Sequence, residues 1–132
     1  MRIRNERGTA TLELAIVAPA LMLLVLGIVQ FGLWYHAESV TKAAAVEAAR
    51  LAAAEDGRVD SAEARAFDVL EAGLGRTADG ANVDVTLGSE TARARISAQM
   101  KGLLPIPGLS TLNLSADATA YRERFRPAGD GP

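Results

Sequence analysis

Cysteine is absent from this chain. That excludes disulfide frameworks and thiolate metal sites. It does not fix a compartment, because many exported proteins carry no disulfide. Aromatic residues make up only 5%, so any soluble core is small and lightly packed. The formal net charge of −2 is too close to zero, and too evenly spread, to suggest nucleic acid. Histidine occurs once, as His36, beside aromatic residues and away from any other ligand type; it reads as interfacial and solvated. No serine sits in a nucleophile elbow, and no His–Asp set exists to activate one. "GLGRTADG" at 73–80 contains GxG, but it follows a helical pattern rather than a strand, so the phosphate-loop context is missing. No catalytic constellation, cofactor site or metal site is expected.

What the chain does have is one long apolar run. Across residues 14–35 the only strongly polar side chain is Gln30. About 20 helical residues cross a hydrocarbon core. A cleavable secretory signal has a shorter apolar region, roughly 7–15 residues, followed by a small-x-small site. Here "APA" at 18–20 lies inside the run. Pro19 is tolerable in a membrane helix packed against neighbours. The alternative, a buried helix of a soluble protein, lacks enough apolar sequence elsewhere to cover it. Arg2, Arg4 and Arg7 precede the run against one acid, Glu6, and Trp34 and Tyr35 close its far end. Positive flanks stay cytoplasmic and aromatics sit at interfaces. The expected orientation is N-terminus inside, with residues after about 36 outside.

Glu13 stands at the threshold of this run. Alone it has a plain reading: a carboxylate favours the positive end of a helix dipole. The surrounding pattern is more specific. Basic residues, Gly8, four further residues, Glu13 and then an unbroken apolar helix resemble the type III signal cut by prepilin peptidases. The longer stretch "RGTATLELAIVAPALMLLVLGIVQFG" resembles TadE-like proteins, pseudopilins of Flp (Tad) pilus systems. Arg7, Gly8, Glu13, Pro19, Gly27, Ile28, Phe31 and Gly32 carry the likeness. Leu14 stands where major Flp pilins usually have an aromatic, and those are much shorter. The likeness is therefore to the minor class.

The resemblance implies cleavage between Gly8 and Thr9, which places Glu13 fifth in the mature chain. It implies that Glu13 pairs with the new Thr9 α-ammonium of a neighbouring subunit. The implied partners are the prepilin peptidase, the Tad secretion platform with its ATPase, other pilin-like subunits and the membrane. No nucleic acid, metal or cofactor is implied. The corresponding layout is a leader at 1–8, a transmembrane helix at 9–35, an extracytoplasmic pilin-like domain at 36–126 and a flexible tail at 127–132.

The remaining sequence predicts an α+β fold. Alanine-rich residues 36–55 continue the helix, giving one helix from about 10 to about 55. Glu38 and Lys42 are spaced for an i,i+4 pair. Val40, Ala44, Ala48, Leu51 and Ala52 form a stripe of small residues, to pack on the domain's own sheet or on neighbouring subunits. Gly57 is expected as the left-handed residue after the helix. A second helix is expected with Asp60 as its cap, Glu63 closing a capping box, and Phe67, Leu70 and Leu74 as its apolar face. Gly73 and Gly75 are expected to stop it.

The period then changes to two. Val83, Val85 and Leu87 share one strand face. Ala92, Ala94, Ile96, Ala98 and Met100 share the next, and Leu112, Leu114, Ala116, Ala118 and Ala120 the third. Gly88-Ser89 suits a tight turn. "GLLPIPGLST" is a longer connection whose prolines keep it out of a strand. The result is a three-stranded antiparallel sheet. Arg93, Arg95 and Lys101 form a basic strand face, with Asp84 and Asp117 on the same side to offset it. Two other functional classes fit the anchor: a signal-anchored domain that is never processed, and a membrane-tethered enzyme or ligand-binding domain.

Overall fold

The computed structural model describes residues 6–54, 56–103, 107–108 and 110–122, with side chains from residue 10 onward. The first helix, α1, runs Glu6–Ala53, 48 residues. At about 1.5 Å per residue it spans about 70 Å. Leucine and alanine supply helix propensity throughout. Pro19 removes the one N–H that would reach the Ala15 carbonyl, and the helix continues through it. There is no break near residue 36. The start lies earlier than the expected residue 10 and the end two residues short of 55.

The end of α1 corrects one expectation. Among the described residues, only Gly75 and Gly108 have positive φ, so Gly57 is not a left-handed cap. Its role is close approach. A Cβ there would collide with the Ala52 and Leu51 carbonyl oxygens, because the chain folds back over the helix terminus. The Gly57 N–H donates to the Ala54 carbonyl at 2.9 Å.

Helix α2 runs Val59–Leu74. Its N-cap is Arg58, in extended conformation and with no side-chain capping bond. The expected Asp60–Glu63 box is therefore absent. The helix starts one residue before Asp60, which puts that carboxylate in the first turn, where it complements the dipole. Glu63 turns inward instead and accepts the Val85 N–H at 3.4 Å. The buried face is Ala62, Ala66 and Leu70, while Phe67 is 42% exposed. Gly73 lies inside α2 rather than ending it. A Cβ on Gly73 would come within 2.5 Å of Val40 Cγ1 on α1. Gly75, at φ 55, ends the helix as expected. A short 3-10 helix, Gly75–Gly80, follows, which the sequence did not announce.

Three strands complete the fold: β1 Asn82–Leu87, β2 Thr91–Lys101 and β3 Thr111–Tyr121. They form one antiparallel sheet in the order β1-β2-β3. The Gly88 N–H donates to the Thr91 carbonyl at 2.7 Å and closes the first turn. Inward residues alternate along every strand, as the period requires. The second connection is described only in part; 104–106 and 109 of the expected proline loop, and the tail 127–132, lie outside the described residues.

Alanine dominates the core. Ala44, Ala45, Ala48, Ala49, Ala52 and Ala53 of α1 pack against Ala62, Ala66 and Leu70 of α2 and Ala92, Ala94 and Ile96 of β2. The stripe on α1 thus packs on the domain's own sheet and on α2. It is wider than expected and excludes Leu51, which is exposed. Thr41 is fully buried, and its hydroxyl donates to the Ala37 carbonyl one turn back, at 2.8 Å.

Candidate processing and assembly site

The three site residues expected from the sequence fall within two turns at the start of α1. The backbone at Gly8 and Thr9 is helical. The first N–H groups of a helix have no intrahelical partner, so a helix opens most easily there. Glu13 is exposed, and among the described residues it has no ion-pair partner. Thr9 and Glu13 are four apart, one helical turn, so they share a face.

Beyond Glu13 the helix is apolar all round. Leu14, Ile16, Leu21, Met22 and Leu24 are all exposed, and the most apolar window of α1 is 0% buried within the protein. A helix of that kind belongs in a lipid or protein environment. It fits a single-pass membrane anchor.

Gln30 marks where the folded domain begins to touch the helix. It is buried, and its Oε1 accepts the Leu103 N–H at 2.6 Å. Among the described residues its buried Nε2 has no partner. Next comes Trp34, half-buried beside a small cluster of Ala37, Ala98 and Leu114. The Trp34 ring lies 5.8 Å from that of Phe31, tilted by 44°. Residues 10–29 therefore form the stretch ahead of the domain's first buried contact, and Phe31, Leu33 and Tyr35 carry the exposed apolar surface further. At about 1.5 Å per residue, 10–29 rise about 30 Å, the thickness of a hydrocarbon core.

The model of the TadE-like protein family matches residues 8–50. The N-terminal third is TadE-like. The match starts at Gly8 and takes in Glu13, the uncovered apolar stretch and most of the alanine half of α1. It ends before α2 and the sheet. No significant match to a curated protein or to a solved structure was found.

Other residues singled out in the sequence fall outside the TadE-like segment or have local partners. His36 Nε2 carries its proton toward the Gly73 carbonyl at 3.3 Å, so the ring is tied to α2 rather than only solvated. The basic strand face divides in two. Arg93 and Arg95 both reach Asp117, at 3.5 and 3.1 Å. Arg95 takes Asp117 in preference to Asp84, its neighbour on β1. Lys101, at the far end of β2, has no ion-pair partner among the described residues. Glu38 and Lys42 pair at 2.7 Å as their spacing predicted. The Gln30–Leu103 contact was not foreseen. Its signal was present, since a lone amide in an apolar run demands a partner.

Proposed function

We propose that this chain is a minor pilin or pseudopilin that supports assembly of a Flp (Tad) pilus. It acts as the substrate of a prepilin peptidase and as a structural subunit, not as an enzyme. The observation that carries the reading is the TadE-like match beginning at Gly8, with Glu13 placed one turn beyond Thr9.

The chemistry is coherent. The peptidase holds the Gly8–Thr9 bond in extended backbone, which a helix terminus with a glycine yields readily. Cutting removes Arg2, Arg4 and Arg7, the cytoplasmic anchor, so that the helix can leave the bilayer. It also creates a Thr9 α-ammonium, with a pKa of roughly 7.7–8.0 for such a group. Within one chain this ammonium sits one turn from Glu13, and the pair can close there first. In an assembly it exchanges for the ammonium of a neighbour, which fixes the axial register between subunits. The orientation follows: N-terminus in the cytoplasm and sheet outside, with the secretion platform, its ATPase and other pilin-like subunits as partners.

Mass spectrometry of the mature N-terminus in the native host tests the reading. The expected chain begins at Thr9, and Gly8→Leu blocks its formation. A chain that keeps residues 1–8 in piliated cells, or a Gly8→Leu variant still cut at Thr9, overturns it.

A further inference from the structure

We propose that the membrane-facing end of the domain holds the headgroup of an anionic phospholipid, seated between β2 and the 3-10 helix by Arg76, Thr77 and Lys101. The proposal rests on the reading of α1 as a membrane anchor.

The seat arises from a mismatch in strand length. Pairing of β1 with β2 ends at Asn82↔Ser97, yet β2 runs on to Lys101. That last part of its edge has no strand beside it, and the 3-10 helix Gly75–Gly80 packs there instead. Two hollows of about 260 and 340 Å³ open between them. They share Thr77, Met100 and Lys101, so they form one groove. One end is walled by Leu33 and His36 of α1, the other by Arg76 and Gln99.

The charge of the groove is of one sign. Arg76 and Lys101 are exposed, and among the described residues neither has an ion-pair partner. Among the described residues no carboxylate lines either hollow. This sets them apart from Arg93 and Arg95, which share the Asp117 carboxylate. Thr77 adds a hydroxyl donor, and Leu33 and Met100 supply apolar wall. A phosphodiester with a glycerol backbone fits that combination better than a free anion does, because the anion would leave the apolar wall unused.

Height along α1 selects the membrane as the source. Leu33 and His36 stand four and seven residues beyond Val29, the last residue before the buried Gln30, while Phe31, Leu33 and Tyr35 stay exposed. Those offsets are about 6 and 10 Å along the axis. The headgroup layer occupies roughly the first 5–7 Å beyond the hydrocarbon on each side. The Leu33 wall therefore lies at headgroup depth. Lysine and arginine stems reach further still while keeping their charges in the polar layer.

The test uses the full-length chain in neutral detergent micelles, read by native mass spectrometry. Phosphatidylglycerol and phosphatidylcholine of identical acyl chains are titrated in turn. One phosphatidylglycerol is expected to be retained in preference to phosphatidylcholine. Each basic group near an anionic surface gives about a fivefold effect. R76Q/K101Q should therefore lose at least about tenfold in retention, while R93Q/R95Q keeps it. Equal retention of both lipids, or undiminished retention by R76Q/K101Q, overturns the proposal. So does competition by free glycerol 3-phosphate, or by an acidic peptide, as strong as that of the lipid. Alkaline carbonate extraction of cell membranes separates the two readings. A chain released by carbonate removes the anchor itself. A chain that stays in the membrane without the lipid preference removes only the seat.

Discussion

Gln30 and Leu103 meet across 73 positions of sequence, the side-chain oxygen of one on the backbone N–H of the other at 2.6 Å. The contact joins the helix to the segment after β2 at the level where the domain first covers the helix. A glutamine that would otherwise be an expense in the membrane becomes the place where the domain is fastened.

Gln30→Leu keeps the bulk of the side chain and removes the acceptor. The Leu103 N–H is then left without its partner, at a cost of about 1–3 kcal/mol. Hydrogen exchange of the full chain in micelles should show faster exchange at Leu103 and its neighbours, with the centre of β2 unchanged. Unaltered exchange at Leu103 would show that the contact carries no weight.

Gly73→Ala sets two effects against each other. Alanine favours an interior helical site over glycine by up to about 1 kcal/mol. Against that, its Cβ would lie 2.5 Å from Val40 Cγ1, and a β-branched side chain has few ways to move aside. Overpacking of this kind costs about 1–3 kcal/mol. The single variant should be destabilised, and adding Val40→Ala should relieve the clash. A double-mutant cycle by denaturant unfolding measures the coupling. Additive effects would mean that the helices do not approach as closely as described.

Ile96→Ala removes one of the few large side chains in an alanine core. Ile96 is fully buried on β2, opposite Ala116. Loss of the transferred atoms and the cavity left behind predict about 2–5 kcal/mol. Neighbouring alanines cannot expand to refill the space, so the upper half of that range is expected in thermal or denaturant unfolding. A loss below 1 kcal/mol would place Ile96 outside the core.

Glu13→Gln separates assembly from simple anchoring. If the carboxylate only complements its own helix dipole, the change costs at most about 1 kcal/mol and pili form normally. If it meets the Thr9 ammonium of a neighbour, the variant leaves a positive end unpaired in a poorly solvated place. Breaking a buried pair costs about 3–5 kcal/mol. The expected result is cleavage largely kept and pilus production, or co-purification with pilin subunits, sharply reduced. Normal piliation returns Glu13 to the helix dipole.

Particular residues show how far the sequence could be read. The strand β2 was legible to its ends, because every second residue from Ala92 to Met100 is apolar and every other one polar. A pleated backbone has only one way to honour that alternation. The α2 face was misread because size was taken as the guide. Phe67 was expected inside, yet α1 offers a flat alanine surface that admits Ala62 and Ala66 more closely. Alanine carries little hydropathy, so which alanines are buried leaves little trace in the pattern. The capping box failed for a related reason: Glu63 found a tertiary partner in the Val85 N–H, which outweighed a local one. At the start of α1, the spacing of Gly8 and Glu13 was visible in the chain. The partner of Gln30 was not, since it lies on the far side of the fold.

The unbroken α1 has a mechanical consequence. The same rigid rod carries the apolar stretch and the alanine seam of the sheet, with no hinge between them. An axial displacement applied near Glu13 therefore reaches Ala53 undiminished, and the sheet rides with it. If the rod is drawn from the bilayer, as the proposed function requires, the domain cannot stay behind at the surface. A glycine pair inserted after Val29, ahead of the Gln30 fastening, would uncouple the two halves like a slipped clutch, leaving the rod free to advance while the domain lags.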